Sequence, residues 1–259
     1  ALYPTDDGKL FACTENGVSL LDPMLSIPLL AHYPFQKKYT RPPELFGCFT
    51  NTNSGYWFYG SQGLYTLSNG LLLDDSILNM PVKNLYITKI AADKKGNVWV
   101  ATLGKGLLQC RYQDGKLFLQ KQFDSKNGAP SDIALSLLVD KNDDVWWGDY
   151  MSISVLSKAG KNEQMSSFNE SDGLLTSYYQ TLKLEQQKNG TVWGLTSMGM
   201  FSFNPDSIIR NNLAPSLMIN SISINGTDSN YAHSSALSLS YNNNSLHFQF
   251  TAVCLTNPS

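Results

Sequence analysis

Charge is scarce in this chain. Lys, Arg, Asp and Glu make up 15% of its 259 residues, and the formal net charge is -2. The basic residues are scattered, so the electrostatic footprint of a nucleic-acid binder is missing. Long apolar runs are also lacking. The most apolar stretch, Val18 to Phe35, is broken by Asp22, Pro23, Pro28 and His32, which excludes it as a membrane span. Histidine occurs three times, as His32, His233 and His247, without metal-ligand spacing. No metal site and no cofactor are expected. The four cysteines, Cys13, Cys48, Cys110 and Cys254, show no C-x-x-C pair and read as buried thiols rather than a disulfide framework. There is no G-x-S-x-G. The adjacent acids Asp6-Asp7, Asp74-Asp75 and Asp143-Asp144 occupy turn-like positions, and sequence neighbours are not a positioned acid/base pair. No catalytic residue is assigned. An initiator Met and a signal peptide are absent as well. Ala1-Leu2-Tyr3 reads as the tail of a strand, so both ends are expected to be cut from something longer.

What the chain does have is a repeat. In Asp93-Lys94-Lys95-Gly96-Asn97 the turn-forming types cluster. Val98 to Thr102 then forms a β-branched and aromatic run suited to a buried strand. Gly104 and Gly106 bracket a second reversal before Leu107-Leu108. Related copies stand around Phe11, Trp57, Trp146 and Trp193. The anchors Phe11, Trp57, Trp99, Trp146 and Trp193 are 46, 42, 47 and 47 residues apart. A period of about 40–50 residues with short strands is the mark of a β-propeller blade. One blade cannot bury both faces alone, so the anchors are expected in the core between blades. Trp147, one step out of phase, is expected on the opposite face of its blade.

The expected fold is all-β: a partial β-propeller of about five four-stranded blades, belonging to a larger propeller, followed by the start of an Ig-like β-sandwich. The blades divide as 1–45, 46–88, 89–132, 133–179 and 180–213, the first incomplete. From 214 to 259 the pattern changes. Ile222 and Ile224 alternate with serines, Asn225-Gly226 is a hairpin signal, and Leu237, Leu239 and Tyr241 alternate, as do Leu246, Phe248 and Phe250.

In its fullest form, Asp93 to Leu107, the repeat D-x-x-G-x-[VL]-W-x-x-T-x-x-G-L resembles the two-component regulator propeller repeat. Asn127-Gly128-Ala129-Pro130-Ser131-Asp132 and Asp172-Gly173-Leu174-Leu175-Thr176-Ser177 look like the links between blades in that family. Gly199 to Pro205 looks like its closing G-L-x-x-F-N-P, and Ser245 to Phe250 is similar to the opening of the Y_Y_Y domain. The resemblance implies the periplasmic sensor region of a hybrid two-component regulator of Bacteroides type. Such a region recognises oligosaccharides and signals through a membrane helix, downstream of this chain, to a histidine kinase controlling glycan-utilisation genes. A homodimer is expected, because signalling across one helix per chain works most simply by rearranging two. The fragment itself is expected not to be an enzyme. The alternatives are a lyase-like propeller enzyme acting on glycans, and a scaffold for protein binding or dimerisation.

Two sets of loops are expected on one propeller face: those after each second strand and the links between blades. A saccharide site needs polar acceptors and aromatic faces there. Asp149, Tyr150, Asp132, Tyr178 and Tyr179 are the candidate ligand-binding residues. Asp149 is singled out because it stands where three other copies have Thr14, Thr102 and Thr196; the remaining copy has Gly60. Asp140-x-Asn142-x-Asp144 resembles half a calcium loop, but Val145 and Met151 fill the Gly and Glu positions, and a turn is the expected reading.

Overall fold

The computed structural model describes residues 2–5, 7–36, 42–51, 55–74, 81–157, 163–174, 179–208, 216–229, 239–242 and 245–253. The chain divides into two compact units, Ala1–Ser207 and Ile208–Ser259. No helix among the described residues is long and apolar enough to cross a membrane.

The first unit is a five-bladed β-propeller arrangement of antiparallel meanders. Blade 1 comprises β1 (Leu2–Pro4), β2 (Leu10–Thr14), β3 (Gly17–Leu21) and β4 (Leu29–Pro34). Blade 2 comprises β5 (Leu45–Asn51), β6 (Gly55–Gly60), β7 (Gly63–Ser68) and β8 (Leu71–Leu73). Blade 3 follows with β9 (Tyr86–Ala92), β10 (Asn97–Leu103), β11 (Leu107–Gln113) and β12 (Lys116–Phe123). Blade 4 has β13 (Ser136–Val139), β14 (Val145–Gly148), β15 (Ile153–Ser157) and β16 (Gln164–Phe168). Blade 5 has β17 (Leu182–Gln186), β18 (Val192–Thr196) and β19 (Gly199–Phe203). Blade 1, expected to be incomplete, therefore has all four strands. Blade 5 has three among the described residues, because Asn204-Pro205 turns the chain into a short helical turn, Pro205–Ser207.

The first strands lie side by side: β1 next to β5, β5 next to β9, β9 next to β13, β13 next to β17. Each of the first four anchor rings faces the blade that follows it. Phe11 meets Tyr56 and Phe58 edge-on at 4.8 and 5.2 Å. Trp57 meets Tyr112 at 5.0 Å, within a cluster that includes Ile87, Val98 and Leu108. Trp99 packs among Leu137, Val145 and Trp147. Trp146 lies 5.0 Å from Phe203. These four anchors are buried, whereas Trp193, at the end of the series, is half-buried. Its sheet neighbours Leu195 and Met200 are exposed. Trp147 is buried on the other face of blade 4, against blade 3.

The turns before Trp99, Trp146 and Trp193 share one backbone form. Residue 93 donates to residue 97 and accepts from Gly96; 140 and 187 repeat this with Asp144 and Asp143, and with Thr191 and Gly190. In blade 3 the Asp93 carboxylate also receives the amides of Lys95 and Asn97 and the Trp99 indole at 2.9 Å. Asp140 does the same for Asn142, Asp144 and Trp146. Amide donors aimed inward make Asp140 a turn organiser, which is the turn reading of that motif.

Burial raises the thiols of Cys13, Cys48 and Cys110, to about 11, 12 and 12. Cys254 lies outside the described residues. The second unit is a three-stranded antiparallel sheet in the order β21 (Thr227–Ser229), β20 (Ser216–Ile224), β22 (Leu246–Val253). Asn225 and Gly226 both take positive φ in the β20–β21 hairpin, as the Asn-Gly signal requires. The alternation at Leu239 and Tyr241 does not make a strand: Leu239 is irregular, Tyr241 sits in a turn, and Leu237 lies outside the described residues. A second sheet, which a sandwich requires, is not present among the described residues.

Candidate functional site

The turns between second and third strands and the links between blades come to one end of the propeller unit. There the β10–β11 turn is clasped by the link to blade 4. The amides of Gly104 and Gly106 donate to the Asp132 carbonyl at 2.9 and 2.6 Å. The Asp132 carboxylate receives the Ser125 amide and hydroxyl at 2.9 and 2.7 Å, and these bonds lower its pKa. One blade further on, the Tyr179 amide donates to the Tyr150 carbonyl at 2.6 Å.

Asp149 is 7% exposed. Its carboxylate accepts from the amides of Met151 and Ser152, both at 2.7 Å, and from the Ser152 hydroxyl at 2.9 Å. It does the work that Thr does elsewhere, where the hydroxyls of Thr14, Thr102 and Thr196 donate to the carbonyls of Gly17, Gly106 and Gly199. The break in the repeat is thus a change of turn chemistry, and these bonds hold the carboxylate against its own loop. Tyr150 and Tyr179 are brought together; Tyr179 is 1% exposed. Asp132 belongs to a neighbouring loop, one blade earlier. Tyr178 lies outside the described residues.

A cleft with a ligand-like lining lies elsewhere on the same end. A pocket of about 300 Å³ is lined by Pro42, Glu44, Ser61, Gln62 and Tyr86. Glu44 precedes β5, Ser61 and Gln62 form the β6–β7 turn, and Tyr86 opens β9. Ser61 donates its amide to the Glu44 carbonyl at 2.9 Å, and its hydroxyl oxygen accepts the Glu44 amide at 3.0 Å. This pair fixes one wall. Tyr86 forms the other: its ring stacks on Phe46 at 4.8 Å with an interplanar angle of 29°, and the residue stays 37% exposed. Burial, and then the nearby Glu44 carboxylate, raise the Tyr86 phenol above its ordinary value. Among the described residues, the side chains of Glu44 and Gln62 engage no hydrogen bond or ion pair. A carboxylate, an amide, a hydroxyl and an aromatic face therefore surround one small cavity. Of these residues, Ser61 and Gln62 belong to one of the loops after second strands that the sequence reading places on this face. The available signal was Gly60, the other departure from Thr.

These features define a β-propeller of sequential up-and-down blades with one loop-rich end. Within it, residues 81–104, the start of blade 3, match the family model described as the two-component regulator propeller. No curated protein matches the chain. Among solved structures, one described as the extracellular domain of a hybrid two-component system of B. thetaiotaomicron superposes with a TM-score of 0.67. It is 21% identical and is covered over 97% of this chain and 35% of its own. Another B. thetaiotaomicron extracellular domain, described as from a one-component system, gives 0.61 at 15% identity, over 85% of this chain and 32% of its own. A virginiamycin B lyase of Staphylococcus aureus gives 0.52 at 13% identity, over 83% of this chain and 71% of its own. The chain thus spans about a third of the length of the first two. At these identities the likeness establishes the fold.

Proposed function

We propose that the chain is the ligand-sensing propeller of an extracytoplasmic sensor region in a two-component regulator, and that its ligand is an oligosaccharide. The observation that carries this is the match of residues 81–104 to the two-component regulator propeller. The loop-rich end of the unit supports it by offering a small cavity lined with sugar-compatible groups. In this reading the region is periplasmic, forms a homodimer, and acts through a membrane helix on a histidine kinase controlling glycan-utilisation genes. Ligand acts by population shift, and only a difference in its affinity for two arrangements of the receptor can move the equilibrium.

The test is a thermal-shift screen of the 259-residue chain against oligosaccharides of defined composition. A ligand at about one hundred times its Kd stabilises the folded state by about 2.7 kcal/mol, a clear rise in Tm. One oligosaccharide class that raises Tm without being consumed supports the reading. Turnover of the saccharide transfers the protein to the enzyme class. A flat response across the panel removes the saccharide assignment.

A further inference from the structure

We propose that the pocket between Glu44 and Tyr86 holds a single sugar ring that is neutral or carries an amino group, and that it discriminates against acidic sugars. This rests on the saccharide reading above and narrows it to one cavity and one charge class.

The volume sets the size. About 300 Å³ is at the low end of small-molecule sites, which suits one ring rather than a chain of them. The lining sets the chemistry. Tyr86 is held flat on Phe46, so it presents a rigid aromatic surface to the apolar face of a sugar at little entropic cost. The Ser61 hydroxyl oxygen is already an acceptor for the Glu44 amide, so its proton is directed to a ligand. The Gln62 amide supplies both a donor and an acceptor. Glu44 sets the sign. It is the one charged residue among the five that line the pocket. Its carboxylate accepts from sugar hydroxyls and attracts an ammonium group. A uronate or sulfate there meets like charge, and none of the described residues in the lining is basic to offset it.

Backbone sterics show that the arrangement is built. A Cβ on residue 60 would overlap the Glu44 carbonyl oxygen, so the glycine in place of the repeat's threonine is what lets Glu44 close onto Ser61. The residue that departs from the pattern makes the wall of the cavity.

The experiment is ligand-observed NMR titration of the 259-residue chain at low salt with D-galactose, D-glucosamine and D-glucuronate. It is repeated on Glu44→Gln and Tyr86→Ala, with the fold of each variant checked by its amide spectrum. Glucosamine is expected to bind about fivefold more tightly than galactose, the size of an exposed ion pair, and glucuronate most weakly. Glu44→Gln is expected to collapse the ranking to within about twofold while preserving galactose binding. Tyr86→Ala is expected to weaken all three by about tenfold, the size of a lost aromatic contact. Glucuronate binding as tightly as glucosamine, or a ranking unchanged in Glu44→Gln, overturns the proposal. If the single sugars do not bind, the same variants are titrated with the oligosaccharide that raises Tm. Unchanged affinity there overturns the pocket while leaving the sensor reading intact. An absence of binding by every sugar overturns both.

Discussion

Glu44 and Gly60 are in contact through their backbones, and the space a side chain would take at residue 60 is filled by the Glu44 carbonyl. The β5–β6 register shifts at this point, between Leu45 and Gly47, so the contact lies where the ladder is already irregular. Gly60→Thr, the residue that three other blades carry there, is expected to force the two strands apart. Overpacking of this kind costs about 1–3 kcal/mol. Differential scanning calorimetry should show a lowered Tm, and the pocket variants should no longer differ from one another in sugar binding. A Gly60→Thr protein with unchanged Tm refutes the steric account.

The link between Asp and Trp in the repeat gives a prediction in the stabilising direction. Trp99 and Trp146 donate their indole protons to Asp93 and Asp140. The Trp193 indole nitrogen is buried with no acceptor among the described residues, although Gln187 forms the same backbone turn. Gln187→Asp supplies the missing acceptor and is expected to gain about 0.5–1.5 kcal/mol, the net yield of one hydrogen bond. Asp93→Ala runs the other way, since it strands a buried indole and two turn amides; it should cost about 2–4 kcal/mol. Trp99→Ala should cost about 3–5 kcal/mol, and Trp193→Ala less, because its ring is already half in solvent. Urea denaturation of the four variants measures all of these.

The repeat was readable because its physical requirements are local. A turn needs Asp and Gly, a buried strand needs β-branched and aromatic residues, and the anchor ring must recur at each blade. Where a blade substitutes another solution, the sequence shows a departure but not its meaning. Asp149 caps its own turn, so its departure from Thr has a local structural use. Asp143 adopts the left-handed conformation that Gly96 and Gly190 hold in the same turn elsewhere, and its carboxylate takes the Lys94 amide of the preceding blade at 2.8 Å. The pocket was hidden for a different reason. Glu44, Ser61 and Tyr86 come from three segments, and only the pairing of β5 with β6 and of blade 2 with blade 3 brings them together.

The cysteines predict an alkaline limit. Cys110 is fully buried, and burial raises its thiol from 9.0 to about 12. The raised pKa means that the folded state keeps the proton after the unfolded chain has lost it. Stability is therefore complete below about pH 9 and falls as pH rises through the window up to about 12. Each such thiol contributes a loss of about 1.4 kcal/mol per pH unit within that window. Urea unfolding at pH 8, 9.5 and 10.5 should show the decline, and Cys110→Ala should make it shallower by about 1.4 kcal/mol per pH unit, with Cys13 and Cys48 keeping their share. A slope unchanged in Cys110→Ala would assign the loss to other groups.

At the opposite end of the propeller unit, the turns between first and second strands are tied blade to blade, and the last tie is acid-sensitive. Lys94 reaches the Lys141 carbonyl, the Lys141 amide donates to Gln186 at 2.9 Å, and the Lys141 ammonium pairs with Asp206 at 2.5 Å. Asn142 adds a second bond to the same carboxylate at 2.7 Å. The hydrogen bonds from Lys141 and Asn142 hold the Asp206 pKa below the ordinary carboxylate value. A depressed pKa gives stabilisation that is present above the unfolded value and is lost as pH falls through the folded one. The pair is exposed, so the global effect on stability is small and the local one is what can be read. Hydrogen exchange at the Asp206 and Ser207 amides is expected to gain protection, relative to the intrinsic rate, between pH 3 and pH 5. Asp206→Asn should abolish that gain while leaving the exchange of β14 unchanged. If protection of these two amides in the wild-type chain is the same at both pH values, the clasp does not hold the end of blade 5.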